Sequence, residues 1–193
     1  MDPLPLTTAL ISTGTVALAE IGDKTQLLAL LLAARFRKPW PIVAGILVAT
    51  LLNHALAAWI GASGAAWLQP ETLRWVIAAS FLAVAAWTLR PDKLDAGDED
   101  LPARGAFVAT TIAFFIAEIG DKTQVATVLL AARYDPLWEV VAGTTLGMLL
   151  ANVPVVVLGS RFADRLPLKP ARYVAAAVFL GMAAWVAVRG LGG

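Results

Sequence analysis

Two identical heptapeptides, Glu-Ile-Gly-Asp-Lys-Thr-Gln, occupy residues 20–26 and 118–124. Each supplies two carboxylates, an ammonium group, a hydroxyl and a side-chain amide, which is a set of oxygen donors with a counter-charge beside it. Oxygen-only donors favour hard ions such as calcium, manganese or magnesium over copper or zinc. On a continuous helix, a Glu and an Asp three residues apart share a face and the Lys at i+4 lies next to them, so each copy is expected to present a carboxylate pair with an adjacent ammonium. Together Glu20, Asp23, Glu118 and Asp121, set against Lys24 and Lys122, leave a formal charge of minus two. One divalent cation or two protons would neutralise it, so an arriving metal is expected to displace protons. Glu20 and Glu118 are the expected principal ligands and proton carriers. Asp23 and Asp121 are further ligands or helix-end organisers, and Thr25, Gln26, Thr123 and Gln124 are expected to give neutral oxygens. Lys24 and Lys122 would hold the carboxylates apart, or pair with them when the site is empty.

The elements carrying these charges are otherwise apolar. Of the 193 residues, 59% are hydrophobic and 15% charged, and the mean hydropathy of +0.75 lies outside the range of soluble domains. A spanning helix needs roughly 20 apolar residues, and six segments qualify, at 6–34, 41–62, 73–89, 105–133, 137–159 and 171–189. The expected fold is an all-α integral membrane protein with six transmembrane helices. Both motifs fall near the middle of a span, where an ionised group costs roughly 2.5 to 3.5 kcal/mol if unpaired. They must therefore face one another, water or an ion. The first and fourth spans exceed the hydrocarbon thickness, and the Gly inside each motif can loosen the helix and expose carbonyl oxygens, so a bend is expected there; tilt would also absorb the length.

A repeat at a constant offset of 98 aligns residues 19–26 with 117–124 without a mismatch, and continues through Leu32 to Arg35 with Leu130 to Arg133, Trp40 with Trp138, Gly45 with Gly143 and Trp87 with Trp185. Two three-helix units are thus expected, at 1–90 and 105–193, joined by a hydrophilic cytoplasmic linker at 91–104 with Asp92, Asp95, Asp98, Glu99 and Asp100. An odd number of spans per unit inserts the second copy upside down, giving inverted repeats whose motifs meet near the midplane. Connections 1-2, 3-4 and 5-6 carry Arg35, Arg37, Lys38, Arg90, Lys93, Arg104, Arg161, Arg165, Lys169 and Arg172, against Arg74, Arg133 and Arg189 on the other side. Lys and Arg concentrate on cytoplasmic loops, so both termini are expected outside the cytoplasm.

Several classes are excluded or disfavoured. A net charge of +1 without a basic patch removes nucleic acid as a partner. There is no Cys, and His54 is the single His, which removes thiolate and His-rich sites. No cofactor is expected, the metal being cargo. His54, its neighbour Asn53, and Asn152 at the position equivalent to His54 are possible site-lining groups or interhelical hydrogen-bonding groups. Gly45 with Ala49, and Gly143 with Gly147, have the spacing of close helix packing. Trp40 and Trp138 suit interfacial anchors. An internal Glu–Lys clasp, a small-molecule exporter such as an amino-acid carrier, a proton-uncoupled channel and an intramembrane acid–base enzyme remain as alternatives. The residues offer no nucleophile or phosphate cradle for the last.

At Glu20-Ile21-Gly22-Asp23-Lys24-Thr25 and Glu118-Ile119-Gly120-Asp121-Lys122-Thr123 the chain resembles the GDT-type, or transmembrane protein 165, family of calcium and manganese cation/proton antiporters. The resemblance covers essentially the whole chain, with no departure inside either motif. It implies alternating access, with export of Mn2+, or of Ca2+, from the cytoplasm in exchange for protons, the motif carboxylates serving as ligands. Similar bacterial proteins act mainly in manganese efflux, and the short chain without a targeting extension resembles those, placing it in the bacterial inner membrane.

Overall fold

The computed structural model describes residues 6–90, 105–159 and 168–190. These form eight helices and no strand: α1 (Thr7–Glu20), α2 (Lys24–Phe36), α3 (Pro39–Trp67), α4 (Pro70–Thr88), α5 (Ala106–Glu118), α6 (Lys122–Arg133), α7 (Leu137–Leu158) and α8 (Leu168–Arg189). Four of the six expected spans appear as single helices. The other two are each cut in two at the motif. The acidic linker at 91–104, and Arg161 and Arg165, lie outside the described residues.

Local chemistry sets the boundaries. Pro39 opens α3 and Pro70 opens α4, where a missing N–H costs nothing. Helix α2 stops at Arg37, whose left-handed backbone (φ 51°) returns its N–H to the Ala33 carbonyl at 3.0 Å. Among the described residues, α3, α7 and Arg172–Arg189 of α8 are long and apolar enough to cross a membrane. The outward side chains suit such a solvent. Leu52, Leu56, Trp59 and Ile60 on α3, and Leu146 and Leu150 on α7, are all exposed. Trp40 and Trp138 are exposed at the starts of α3 and α7, as interfacial anchors would be.

Packing follows the repeat. Helix α1 lies against α7 and runs in the same direction, since Ala9 contacts Glu139 and Glu20 contacts Asn152. Helix α5 lies against α3 in the corresponding way, with Phe107 against Gly45 and Phe115 against Asn53. Both contacts depend on the small-residue pairs. A Cβ on Gly143 would sit 2.4 Å from the Ala9 carbonyl oxygen, one on Gly147 2.7 Å from the Thr13 carbonyl oxygen, and one on Gly45 2.7 Å from Thr110 Cβ. Helices α4 and α8 pair separately, with Phe81 and Phe179 stacked at 6.2 Å between ring centroids. Those two residues are also related by the offset of 98. Two apolar clusters hold the bundle, one around Phe81, Phe179, Ile77 and Leu130, the other around Leu28, Leu32, Ile46, Phe114 and Met148. The motifs lie among the α1, α2, α3, α5, α6 and α7 segments.

Candidate metal centre

Each motif is a helix break. Helix α1 ends at Glu20 and α2 begins at Lys24, while α5 ends at Glu118 and α6 begins at Lys122. Glycine permits the turn: Gly22 has φ 82° and Gly120 φ 74°, a left-handed conformation that disfavours a Cβ. The expectation of Glu, Asp and Lys on one continuous helical face is therefore corrected. Glu20 closes one helix, Asp23 stands in extended backbone as the residue before the next (φ −83°, ψ 166°), and the two carboxylates approach across a turn. Asp121 repeats this geometry before α6 (φ −76°, ψ 165°).

The glutamines hold these turns. Gln26 Oε1 accepts the Gly22 N–H at 2.9 Å, and Gln124 Oε1 accepts the Gly120 N–H at 2.6 Å. Their amide groups then anchor each turn to the other half, with Gln26 Nε2 donating to the Ala151 carbonyl at 3.1 Å and Gln124 Nε2 to Asn53 Oδ1 at 3.3 Å. Ala151 and Asn53 are equivalent positions in the repeat. Asn53 in turn donates to the Phe115 carbonyl at 3.0 Å. The two glutamine oxygens, expected as neutral ligands, each accept a backbone N–H in this structure.

Three carboxylates converge. Oxygens of Glu20, Asp23 and Asp121, all buried, lie within 4.8 Å of one another. The group draws from both motifs, and Lys122 joins it with its ammonium 3.3 Å from Asp23 Oδ1. Glu20 Oε2 accepts hydrogen bonds from the Thr25 hydroxyl and from Asn152 Nδ2, the latter at 3.3 Å, leaving Oε1 buried with no hydrogen-bond partner among the described residues. Thr123 donates to Asp121 Oδ2 at 3.4 Å. Three carboxylates and one ammonium leave a formal charge of minus two, which a dication would balance.

Glu118 is not among the three carboxylates within 4.8 Å of one another and has partners of its own. Its Oε1 accepts the Thr50 hydroxyl at 2.9 Å, and Oε2 lies 3.8 Å from His54 Nε2, with both side chains fully buried. The partners thus follow the repeat in position and differ in chemistry: Glu20 meets Asn152, and Glu118 meets His54 at the equivalent place. Lys24 is half-buried whereas Lys122 is buried. Sequence reasoning did not single out Thr50, because a lone Thr in an apolar helix carries no spacing signal; its counterpart is Met148.

The whole chain matches known proteins. A family model described as "Divalent cation/proton antiporter GDT1" matches residues 8–96 and 106–193. A Vibrio cholerae protein named "Putative manganese exporter" is 63% identical over 174 residues, covering 90% of this chain and 86% of that one. The "GDT1-like protein sll0615" of Synechocystis is 27% identical over 85% of this chain and 88% of its own length. "GDT1-like protein 3" of Arabidopsis thaliana is 26% identical over 86% of this chain and 65% of its own. No solved structure matches at the stringency these relatives meet. Members of the matched family are transporters, not enzymes, and the metal is their cargo. A match that runs through both halves, and so through both motif copies and the triad they assemble, places this chain in the GDT1 family of divalent cation/proton antiporters.

Proposed function

We propose that this chain exports a divalent cation, manganese by preference and calcium as the alternative cargo, from the cytoplasm in exchange for protons. The observation that carries the reading is the convergence of Glu20, Asp23 and Asp121 from two separate helix breaks. Broken helices that aim ligands at a shared point are what secondary transporters use to bind ions between two repeats. The cation seat is this triad, with Thr25 and Asn152 orienting Glu20 and with Lys122 competing for Asp23. Manganese is favoured by the name of the Vibrio cholerae relative.

The architecture proposed is six spans in two inverted units, 1–90 and 105–193, joined by a cytoplasmic linker at 91–104. The same-direction pairs α1/α7 and α5/α3, and the meeting of the equivalent Phe81 and Phe179, support it. Arg and Lys placement supports termini outside the cytoplasm of a bacterial inner membrane. Export proceeds by alternating access, the two units rocking about the triad.

The test is uptake of Mn2+ and Ca2+ into proteoliposomes against an imposed pH gradient, with Mn2+ binding measured separately. Glu20→Gln is expected to weaken Mn2+ binding by roughly 100-fold, whereas Glu118→Gln, outside the triad, should weaken it less than about tenfold. Both should stop exchange. Undiminished exchange by the two variants would sink the reading.

A further inference from the structure

The fourth motif carboxylate, Glu118 at the end of α5, faces the single imidazole of the chain, His54 on α3. Both side chains are fully buried, and His54 Nε2 lies 3.8 Å from Glu118 Oε2. Neither atom has a hydrogen-bond partner among the described residues, and nor does His54 Nδ1. Thr50, one turn before His54 on the same face of α3, donates to Glu118 Oε1 at 2.9 Å. That leaves Oε2 on the imidazole side.

The equivalent place in the other half supplies a control. There Asn152 donates to Glu20 Oε2 at 3.3 Å and to the Met148 carbonyl at 3.1 Å, so amide and carboxylate meet directly. The imidazole and carboxylate stand farther apart than a hydrogen bond, which would draw them to about 3 Å. Their separation suits two ligands of one ion. Donors about 2.1 Å from a metal are about 3.0 Å apart when adjacent and about 4.2 Å apart when opposite. The pair also adjoins the triad, since the Asp121 N–H donates to the Glu118 carbonyl at 3.1 Å across the Gly120 turn.

Donor type separates the two places. Calcium and magnesium take oxygen ligands, whereas first-row transition dications also accept an imidazole nitrogen. The carboxylates of the triad offer oxygen alone and attract any dication by charge. A place that includes His54 sorts dications by their acceptance of nitrogen.

We propose that His54 Nε2 and Glu118 Oε2 form a second cation seat beside the triad, one that takes a transition-metal dication such as Mn2+ and discriminates against Ca2+. Water completes the coordination shell. The proposal rests on the export reading and adds where the cargo is chosen: the triad binds dications by charge, and the imidazole selects among them. With one carboxylate, the second seat is the weaker of the two.

The experiment loads tag-free purified protein with Mn2+ and records electron spin-echo envelope modulation, which detects nitrogen bonded to the metal. His54 is the only histidine in the chain, so imidazole modulation identifies it. Glu20→Gln, which disables the triad, should leave Mn2+ bound about 100-fold more weakly and with imidazole modulation. Asp23→Asn disables the triad through a different residue and should give the same spectrum. Adding His54→Asn, the residue that the other half carries at this place, should abolish the modulation. It should also weaken the remaining Mn2+ binding at least about tenfold, while Ca2+ binding changes less than about twofold. Mn2+ held by oxygen alone in both triad variants would overturn the seat, as would equal loss of Mn2+ and Ca2+ on adding His54→Asn. So would the absence of bound Mn2+ in both triad variants at about 1,000 times the concentration that saturates the unsubstituted chain. If Glu20→Gln binds Mn2+ as tightly as the unsubstituted chain, the triad reading fails, and the imidazole modulation still decides the second seat.

Discussion

Lys122, the first residue of α6, places its ammonium 3.3 Å from Asp23 Oδ1, and both side chains are buried. The pair joins the second motif to the first, so a residue of one copy neutralises a carboxylate of the other. It also sets a competition, since a cation entering the triad must share Asp23 with a tethered cation. Removing one partner of a buried pair costs roughly 3 to 5 kcal/mol because the other charge is left uncompensated. Lys122→Gln is therefore expected to lower the unfolding temperature of the metal-free protein, and added Mn2+ should recover most of the loss. Thermal unfolding with and without Mn2+ checks this; a variant that Mn2+ stabilises no more than the unsubstituted chain would contradict it.

Gly120 tests whether the helix break makes the site. Its φ of 74° disfavours any side chain, yet a Cβ there would meet nothing within 4 Å, so substitution perturbs the backbone alone. Gly120→Ala should cost about 1 to 2 kcal/mol and weaken Mn2+ binding by displacing Asp121. Gly120→Asn should do less harm, because Asn tolerates the left-handed region better. Equal Mn2+ affinity in the Ala variant and the unsubstituted chain would show that the turn is not what positions the carboxylate.

Gly143 and Gly14 separate packing from propensity. A Cβ at Gly143 would stand 2.4 Å from the Ala9 carbonyl oxygen and 2.8 Å from Ser12 Cβ, whereas one at Gly14 meets nothing within 4 Å. Gly143→Ala should therefore push α1 from α7 and cost about 1 to 3 kcal/mol. Gly14→Ala, on the open side of α1, should be neutral or stabilising by up to about 1 kcal/mol. Unfolding of the two variants in detergent gives the comparison, and the order of the two should not reverse.

Much of this was legible because the signals are local or periodic. Apolar length gave the all-helical membrane class, and the segments at 41–62, 73–89, 137–159 and 171–189 reappear as α3, α4, α7 and α8 within a few residues. Gly143 and Gly147 were marked as packing positions by spacing alone, and they seat α1. The Gly in each motif pointed to a bend, but a bent continuous helix and a full break differ by the backbone of one or two residues. In the break that forms, Gln26 and Gln124 bridge each turn to Ala151 and Asn53, contacts with the other half of the chain that no local pattern reveals.

The sequence by itself determined the ingredients of this protein: an apolar chain, a repeat at a fixed offset, and two equal sets of oxygen donors in segments that lipid cannot tolerate unpaired. It treated the two motifs as equivalents, because identical residues give identical readings. Only the tertiary structure decided that their surroundings differ. Long-range neighbours differ at matched positions, Asn152 against His54 and Met148 against Thr50, so Glu20 turns into a triad with Asp23 and Asp121 while Glu118 is drawn to Thr50 and His54. Partners 68 and 132 residues away in the chain set those orientations, and no local pattern encodes contacts at that separation.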